Sequence, residues 1–94
     1  MPYSLTRIAV EDFAKWKATF VAGASTRKAH GSNGAQFYRS LDRPNEVVVI
    51  VEFANLEKAR QLFQSQEFRD AIKRGGVSGI PEVVFLDEAE RLAH

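Results

Sequence analysis

Residues 34–53, GAQFYRSLDRPNEVVVIVEF, contain the pattern that decides the fold. Gly34–Leu41 and Glu46–Phe53 are rich in β-branched and aromatic residues, which favours two strands. The segment Arg43–Glu46 between them has Pro and Asn at its central positions, and both residue types favour a β-turn. The pattern therefore predicts an antiparallel hairpin.

The sequence before the hairpin predicts a strand followed by a helix. Tyr3–Val10 has the β-branched and aromatic composition of a strand. Asp12 is a good helix N-cap, and large apolar residues then recur at helical spacing. The helix is expected to continue to about Lys28 or Ala29 and to stop at Gly31.

The sequence after the hairpin predicts a second helical segment and a last strand. Asn55 caps a short helix, and Ser65 caps a further one. A glycine-rich connection over residues 75–79 separates them from the strand Ile80–Asp87. Residues 87–94 are compatible with a frayed terminal helix.

This order of elements is the ferredoxin-like βαββαβ arrangement, an α+β fold with a four-stranded antiparallel sheet and its helices on one face. Residues 1–94 fit one such domain. Val47–Val51 and Val83–Leu86 are apolar without interruption, which indicates strands buried on both faces. Because the helices cover only one face, we expect a homodimer joined through the opposite sheet faces. The alternative is a monomer that exposes a few aliphatic side chains.

Composition excludes several classes of function. Thirteen basic and twelve acidic residues give a net charge of +1, so the balance offers no electrostatic reason to expect nucleic acid or an anionic membrane as a partner. The absence of cysteine excludes disulfides, thiolate metal sites and a cysteine nucleophile. The first residues lack the features of a signal peptide, and no apolar run is long enough to span a bilayer. We therefore expect a cytoplasmic protein.

Three residues are candidates for catalysis: Arg39, Glu52 and His30. His30 is the most reactive by type, although a histidine at a helix end is also favourable to the helix dipole. Arg39 and Glu52 lie inside strands, where charges are normally paired or functional. A two- or four-residue turn would make them neighbours on one face, whereas a three- or five-residue turn or a bulge would separate them. As neighbours they form either a structural ion pair or a site in which Arg39 anchors an anionic ligand and Glu52 orients it or acts as a base.

Five aromatic residues are candidates to line a cleft between helices and sheet: Trp16, Phe20, Tyr38, Phe63 and Phe68. They are either ordinary core or, together with Arg39, the lining of a site for a flat apolar molecule with a polar handle. A hollow cleft with a polar point favours the ligand site, and a cleft filled by Trp16 favours plain core. Two histidines without metal-ligand spacing lead us to expect no metal, haem or other cofactor.

Three segments carry a family resemblance: FYRSLDRPN at 37–45 with the valine-rich strand that follows, NLEKA at 55–59 and SQEF at 65–68. With them the chain resembles, over nearly its whole length, the small antibiotic-biosynthesis-monooxygenase-like proteins of the dimeric α+β barrel superfamily. Proteins of this fold include cofactor-free oxygenases, haem-degrading enzymes, isomerases and decarboxylases, and fold alone does not choose among them. Phe63 stands where many active members have a histidine, and the only tryptophan lies on the first helix, unlike in the haem-degrading members.

The resemblance implies a dimer that binds a small aromatic or polyketide-like molecule. Such a protein would transform its ligand without a cofactor, as a monooxygenase, cyclase or isomerase. The alternative is a non-catalytic ligand-binding or structural module of the same fold.

Overall fold

A computed structural model describes residues 1–94 and has the predicted βαββαβ order, with each helical segment divided into two helices. In chain order the elements are β1 (Pro2–Val10), α1 (Phe13–Ala22), α2 (Ala24–Ala29), β2 (Ser32–Arg39), β3 (Glu46–Phe53), α3 (Leu56–Gln64), α4 (Gln66–Arg74) and β4 (Val77–Asp87). The four strands form one antiparallel sheet in the order β2-β3-β1-β4. The predicted ferredoxin-like α+β fold is therefore confirmed.

The core lies between the helices and one face of the sheet. Successive side chains of a strand point to opposite faces, and β3 alternates between buried and half-buried positions along its whole length. Nine buried apolar residues form the core: Ile8, Val10, Trp16, Val47, Val49, Val51, Phe53, Ala59 and Leu62. The other face of the sheet has no helix over it.

The predicted helix N-caps are confirmed. Side-chain oxygens of Asp12, Asn55 and Ser65 each accept a hydrogen bond from the backbone N–H three residues later, at 3.3, 2.9 and 3.2 Å. Each bond satisfies one of the N–H groups that a helix start leaves without a partner. None of the helices is both long and apolar enough to cross a membrane.

The predicted continuous helix from Asp12 to about Lys28 is wrong, because it is interrupted at Gly23. The Gly23 N–H donates to the carbonyl oxygens of Thr19 and Phe20, both at 3.1 Å, which closes the last turn of α1. Glycine is the poorest helix former after proline, so the interruption falls where helical propensity is lowest. A second short helix, α2, then begins at Ala24.

The last strand begins at Val77, so the predicted loop over residues 75–79 is wrong for its second half. The pairing of β4 with β1 shifts register opposite Ile8, so the strand pairing is irregular there. Gly79 lies in this irregular stretch with φ of +71°, a conformation that glycine adopts without strain. The second half of the glycine-rich segment therefore forms the irregular start of β4.

The predicted terminal helix over residues 87–94 is also wrong. No helix or strand follows Asp87, and the one large apolar residue of this segment, Leu92, is 70% exposed. A helix of so few residues is unstable in water unless an apolar face packs on something. Here nothing covers it.

Candidate functional site

A cavity of about 220 Å³ lies between the helices and the sheet. Its floor consists of side chains from the two central strands, Thr6, Ile8, Val49 and Val51. Helices α1 and α2 form one wall, and α3 and α4 form the other. The cleft is therefore hollow, and Trp16 lines it without filling it.

Aromatic side chains make up much of both walls. On the first wall, Trp16 is 5% exposed and stacks on Phe20 with ring centroids 5.1 Å apart. On the second, Phe63 and Phe68 meet edge to face at 4.9 Å. Four of the five aromatic residues proposed from the sequence as ligand-binding thus line one cavity.

Trp16 is held in position from two sides. Phe37 meets it in a perpendicular, edge-to-face arrangement with ring centroids 5.1 Å apart. At the end of α4, a Cβ on Gly75 would lie 3.1 Å from Trp16 Cδ1, so a larger residue at this position would crowd the indole. The indole ring is therefore a fixed part of the cavity wall.

Tyr38, the fifth aromatic candidate, does not reach the cavity. It pairs with Val48 on the sheet face that the helices leave open, and it is 54% exposed. Its neighbour Phe37 points to the helix side instead and packs against the core. The expectation for Tyr38 fails because it lies one residue out of phase with the inward side of β2.

The expected contact between Arg39 and Glu52 is also wrong. The turn leaves Leu41–Asn45 between the last paired residues of the hairpin, which is the five-residue case. Arg39 consequently stands opposite Val47, and Glu52 stands opposite Gly34 at the far end of the hairpin. Arg39 is five residues from Gly34, and strand residues an odd number of positions apart point to opposite faces of the sheet. The side chains of Arg39 and Glu52 therefore cannot meet.

None of the three residues proposed as catalytic lines the cavity. The Arg39 guanidinium lies 4.1 Å from the centre of the Phe13 ring, and its Nε donates to a carbonyl oxygen of the turn at 2.9 Å. Glu52 lies half-buried on the open face of the sheet. His30 ends α2, with Nδ1 3.0 Å from the carbonyl oxygen of Thr26.

Arg27, which the sequence interpretation did not select, lies on the cavity wall. Its Nη1 donates to the Phe20 carbonyl oxygen at 2.6 Å, and its Cζ lies 3.8 Å from the centre of the Phe20 ring. No carboxylate pairs with it. Burial lowers the pKa of Arg27 from its usual value, because desolvation disfavours the charged form. Its position seven residues after Phe20 and eleven after Trp16 is the helical signal that would have found it.

The floor of the cavity carries a second polar group that was not predicted, the hydroxyl of Thr6. Thr6 is 6% exposed, and its hydroxyl takes part in none of the side-chain hydrogen bonds of the chain. Ser4, two residues earlier on the same face of β1, has a fully buried hydroxyl without a partner. Polar residues on the inward side of a central strand were the available signal.

Charged residues at the rim lie on α4 and are exposed. They are Glu67, Asp70 and Arg74. Asp70 accepts a hydrogen bond from the Gln66 amide at 2.9 Å. Nowhere in the chain do three or more histidine or carboxylate side chains gather as metal ligands would.

A family model identifies the class of protein to which this fold and cavity belong. Residues 6–74 match the model for antibiotic biosynthesis monooxygenases. Because the match covers well over half of the chain, the protein belongs to this family. No curated protein sequence matches it.

Solved structures give the same fold. A Bordetella bronchiseptica protein classed with the antibiotic biosynthesis monooxygenases is 18% identical and superposes with a TM-score of 0.81, covering 95% of this chain and 97% of that one. SnoaB from Streptomyces nogalater, a cofactor-independent oxygenase, is 17% identical with a TM-score of 0.80, covering 99% of this chain and 97% of its own. At these identities the similarity shows the fold.

Proposed function

We propose that this chain forms a cytoplasmic homodimer that binds a small aromatic or polyketide-like molecule in its cavity and transforms it without a metal or bound cofactor, as a monooxygenase, cyclase or isomerase. The observation that carries the proposal is the hollow cavity, which has aromatic walls and polar groups at few points. Sites for small organic ligands have this composition. The family and the cofactor-independent similar structure support the proposed chemistry.

The proposal of a homodimer depends on the apolar residues of the open face of the sheet. Ile50, Leu5 and Val84 stand side by side across three strands of that face. Val84 and Leu86 are more than 40% exposed there. Contiguous apolar surface on a small protein marks an interaction site, and a second copy provides a complementary sheet face.

Calorimetric titration with a two-ring dihydroxyaromatic compound tests binding. In chelator-treated buffer, oxygen uptake tests turnover by a monooxygenase, and product analysis tests turnover by a cyclase or isomerase. We expect one ligand per chain and oxygen uptake faster than without protein. Ala71→Phe places a ring in the cavity and should abolish both. Ala18→Phe, the same enlargement on the exposed side of α1, should change neither. Failure of the unaltered protein to bind any such compound would contradict the proposal.

A non-catalytic ligand-binding module is the second candidate. It is favoured by the placement of Arg39, Glu52 and His30, all of which lie outside the cavity. Under this alternative the same titration shows binding that Ala71→Phe removes, while oxygen uptake and product formation stay at the level of the protein-free control.

A further inference from the structure

The two polar groups inside the cavity specify the chemistry of its ligand. We propose that Arg27 is the anion-binding residue of this cavity, that Thr6 is a second hydrogen-bonding point, and that the ligand is an aromatic anion of one or two rings with a hydroxyl at its far end. This inference rests on the proposed function, because it assumes that the cavity is the ligand site.

The surroundings of Arg27 argue for an anion. Its side chain is partly buried, and its protein partners are one carbonyl oxygen and the face of the Phe20 ring. A charge withdrawn from water gains from an opposite charge beside it, and no carboxylate of the protein supplies one here. A carboxylate or phenolate ligand would supply the missing counter-charge through the remaining guanidinium N–H groups.

The other charged groups at the rim do not cancel this preference. Glu67, Asp70 and Arg74 are exposed, and water and salt screen exposed charges strongly. Arg27 is therefore the charged group of the cavity lining that water screens least.

Thr6 gives the cavity a polar point at its floor. Thr6 is 94% buried as a residue, and its hydroxyl, which borders the cavity, has no hydrogen-bond partner in the protein, whereas buried polar groups normally have one. A ligand hydroxyl at the floor would provide the partner. Because the rest of the floor is aliphatic, the ligand between the two points has to be apolar.

The volume of the cavity limits the size of the ring system. Apolar cavities of about 150 Å³ hold a single benzene ring. The cavity here is about 220 Å³ and partly open to solvent, so it accepts one ring completely or two rings with the anionic edge at the mouth. Larger fused systems would have to leave part of their surface outside.

The first experiment is a calorimetric titration with two ligands of equal ring size, 2-naphthoate as the anion and 2-naphthylmethanol as its neutral counterpart. We expect 2-naphthoate to bind about tenfold more tightly, since hydrogen bonds to charged groups are the stronger ones. Arg27→Met keeps apolar cover over Phe20 and should remove this preference without weakening the alcohol. Arg69→Met, the same change on an exposed arginine outside the cavity, should leave the preference intact.

The outcomes separate the inference from the proposed function. If both ligands bind with equal affinity, or if Arg27→Met weakens both alike, the cavity is a ligand site and the assignment of Arg27 is wrong. If neither ligand binds, the inference and the proposed site fail together.

The second experiment tests Thr6 with 6-hydroxy-2-naphthoate. Its hydroxyl should improve affinity about fivefold over 2-naphthoate in the unaltered protein, the usual size for one neutral hydrogen bond. Thr6→Val keeps the side-chain shape and should abolish this gain without lowering the melting temperature, because no protein hydrogen bond is lost. A gain that persists in Thr6→Val would overturn the role of Thr6.

Discussion

The two faces of the sheet are built from the same strands and similar residues, yet they have opposite surroundings. On β3, Val47, Val49 and Val51 are almost completely buried beneath the helices, whereas Val48 and Ile50 between them remain partly exposed. The apolar run Val47–Val51 therefore contributes side chains to both faces of the sheet. One holds the core and the cavity of the chain, and the other is left for a second molecule.

The largest expected effect is on the helix-covered face. Phe53 is fully buried, and we expect Phe53→Ala to reduce the free energy of unfolding by about 3–5 kcal/mol, from lost burial and the cavity left behind. Urea denaturation at one fixed protein concentration measures it. Leu41→Ala, at a fully exposed leucine of the β2–β3 turn, is the control and should change it by about 0.5 kcal/mol or less. A small effect at Phe53 would mean that this face is not the core.

The open face should respond through association. Ile50→Asp places a carboxylate at the centre of the proposed interface, where an unpaired charge is costly. We expect the dimer dissociation constant to rise by about a hundredfold, as measured by sedimentation equilibrium. Gln61→Asp makes the same charge change at an exposed position of α3 and should not alter the dissociation constant. A monomeric unaltered protein at micromolar concentration would contradict the proposed dimer.

On the helix-covered face, the buried hydroxyl of Ser4 should lower the free energy of unfolding. The Ser4 hydroxyl has no partner, so Ser4→Ala should raise the free energy of unfolding by about 1 kcal/mol. Ser65→Ala removes a hydroxyl that caps α4 and should lower it by about the same amount. Equal losses in the two variants in thermal denaturation would show that Ser4 has a partner after all.

The smallest expected effect is an absence of coupling between the two faces. Arg39 and Glu52 point to opposite sides of the sheet, so the stability changes of Arg39→Met and Glu52→Gln should add to within about 0.3–0.5 kcal/mol. A double-mutant cycle on urea denaturation provides the measurement. A larger interaction would require a different hairpin register.

Sequence reasoning succeeded where a signal is periodic and local. Strand composition, helix spacing and capping residues such as Asp12 and Asn55 predicted the element order, because each depends on neighbours a few positions away. Four of the cavity aromatics were found in the same way. Tyr38 and Glu52 were misplaced because the face that a strand residue occupies depends on the length of a turn, and one residue more or less reverses it.

The polar groups of the cavity were missed for a different reason. Arg27 has the composition of an ordinary helix end, and its hydrogen bond to the Phe20 carbonyl oxygen crosses the interruption at Gly23. Thr6 resembles any strand threonine until the helices cover it. Both residues carry a spacing signal, but that signal does not say which polar residue borders an open cavity, because the cavity forms where separate elements meet.

Trp16 has a spectroscopic consequence. It is the only tryptophan in the sequence, so the long-wavelength fluorescence of the protein originates from a single ring on the cavity wall. Because the indole is 5% exposed and fixed by its neighbours, its emission should be blue in the folded chain and shift to the red on unfolding. A flat molecule entering the cavity would lie against this ring and quench it. The protein therefore carries an intrinsic optical reporter of both its folding and the occupancy of its cavity, with no label required.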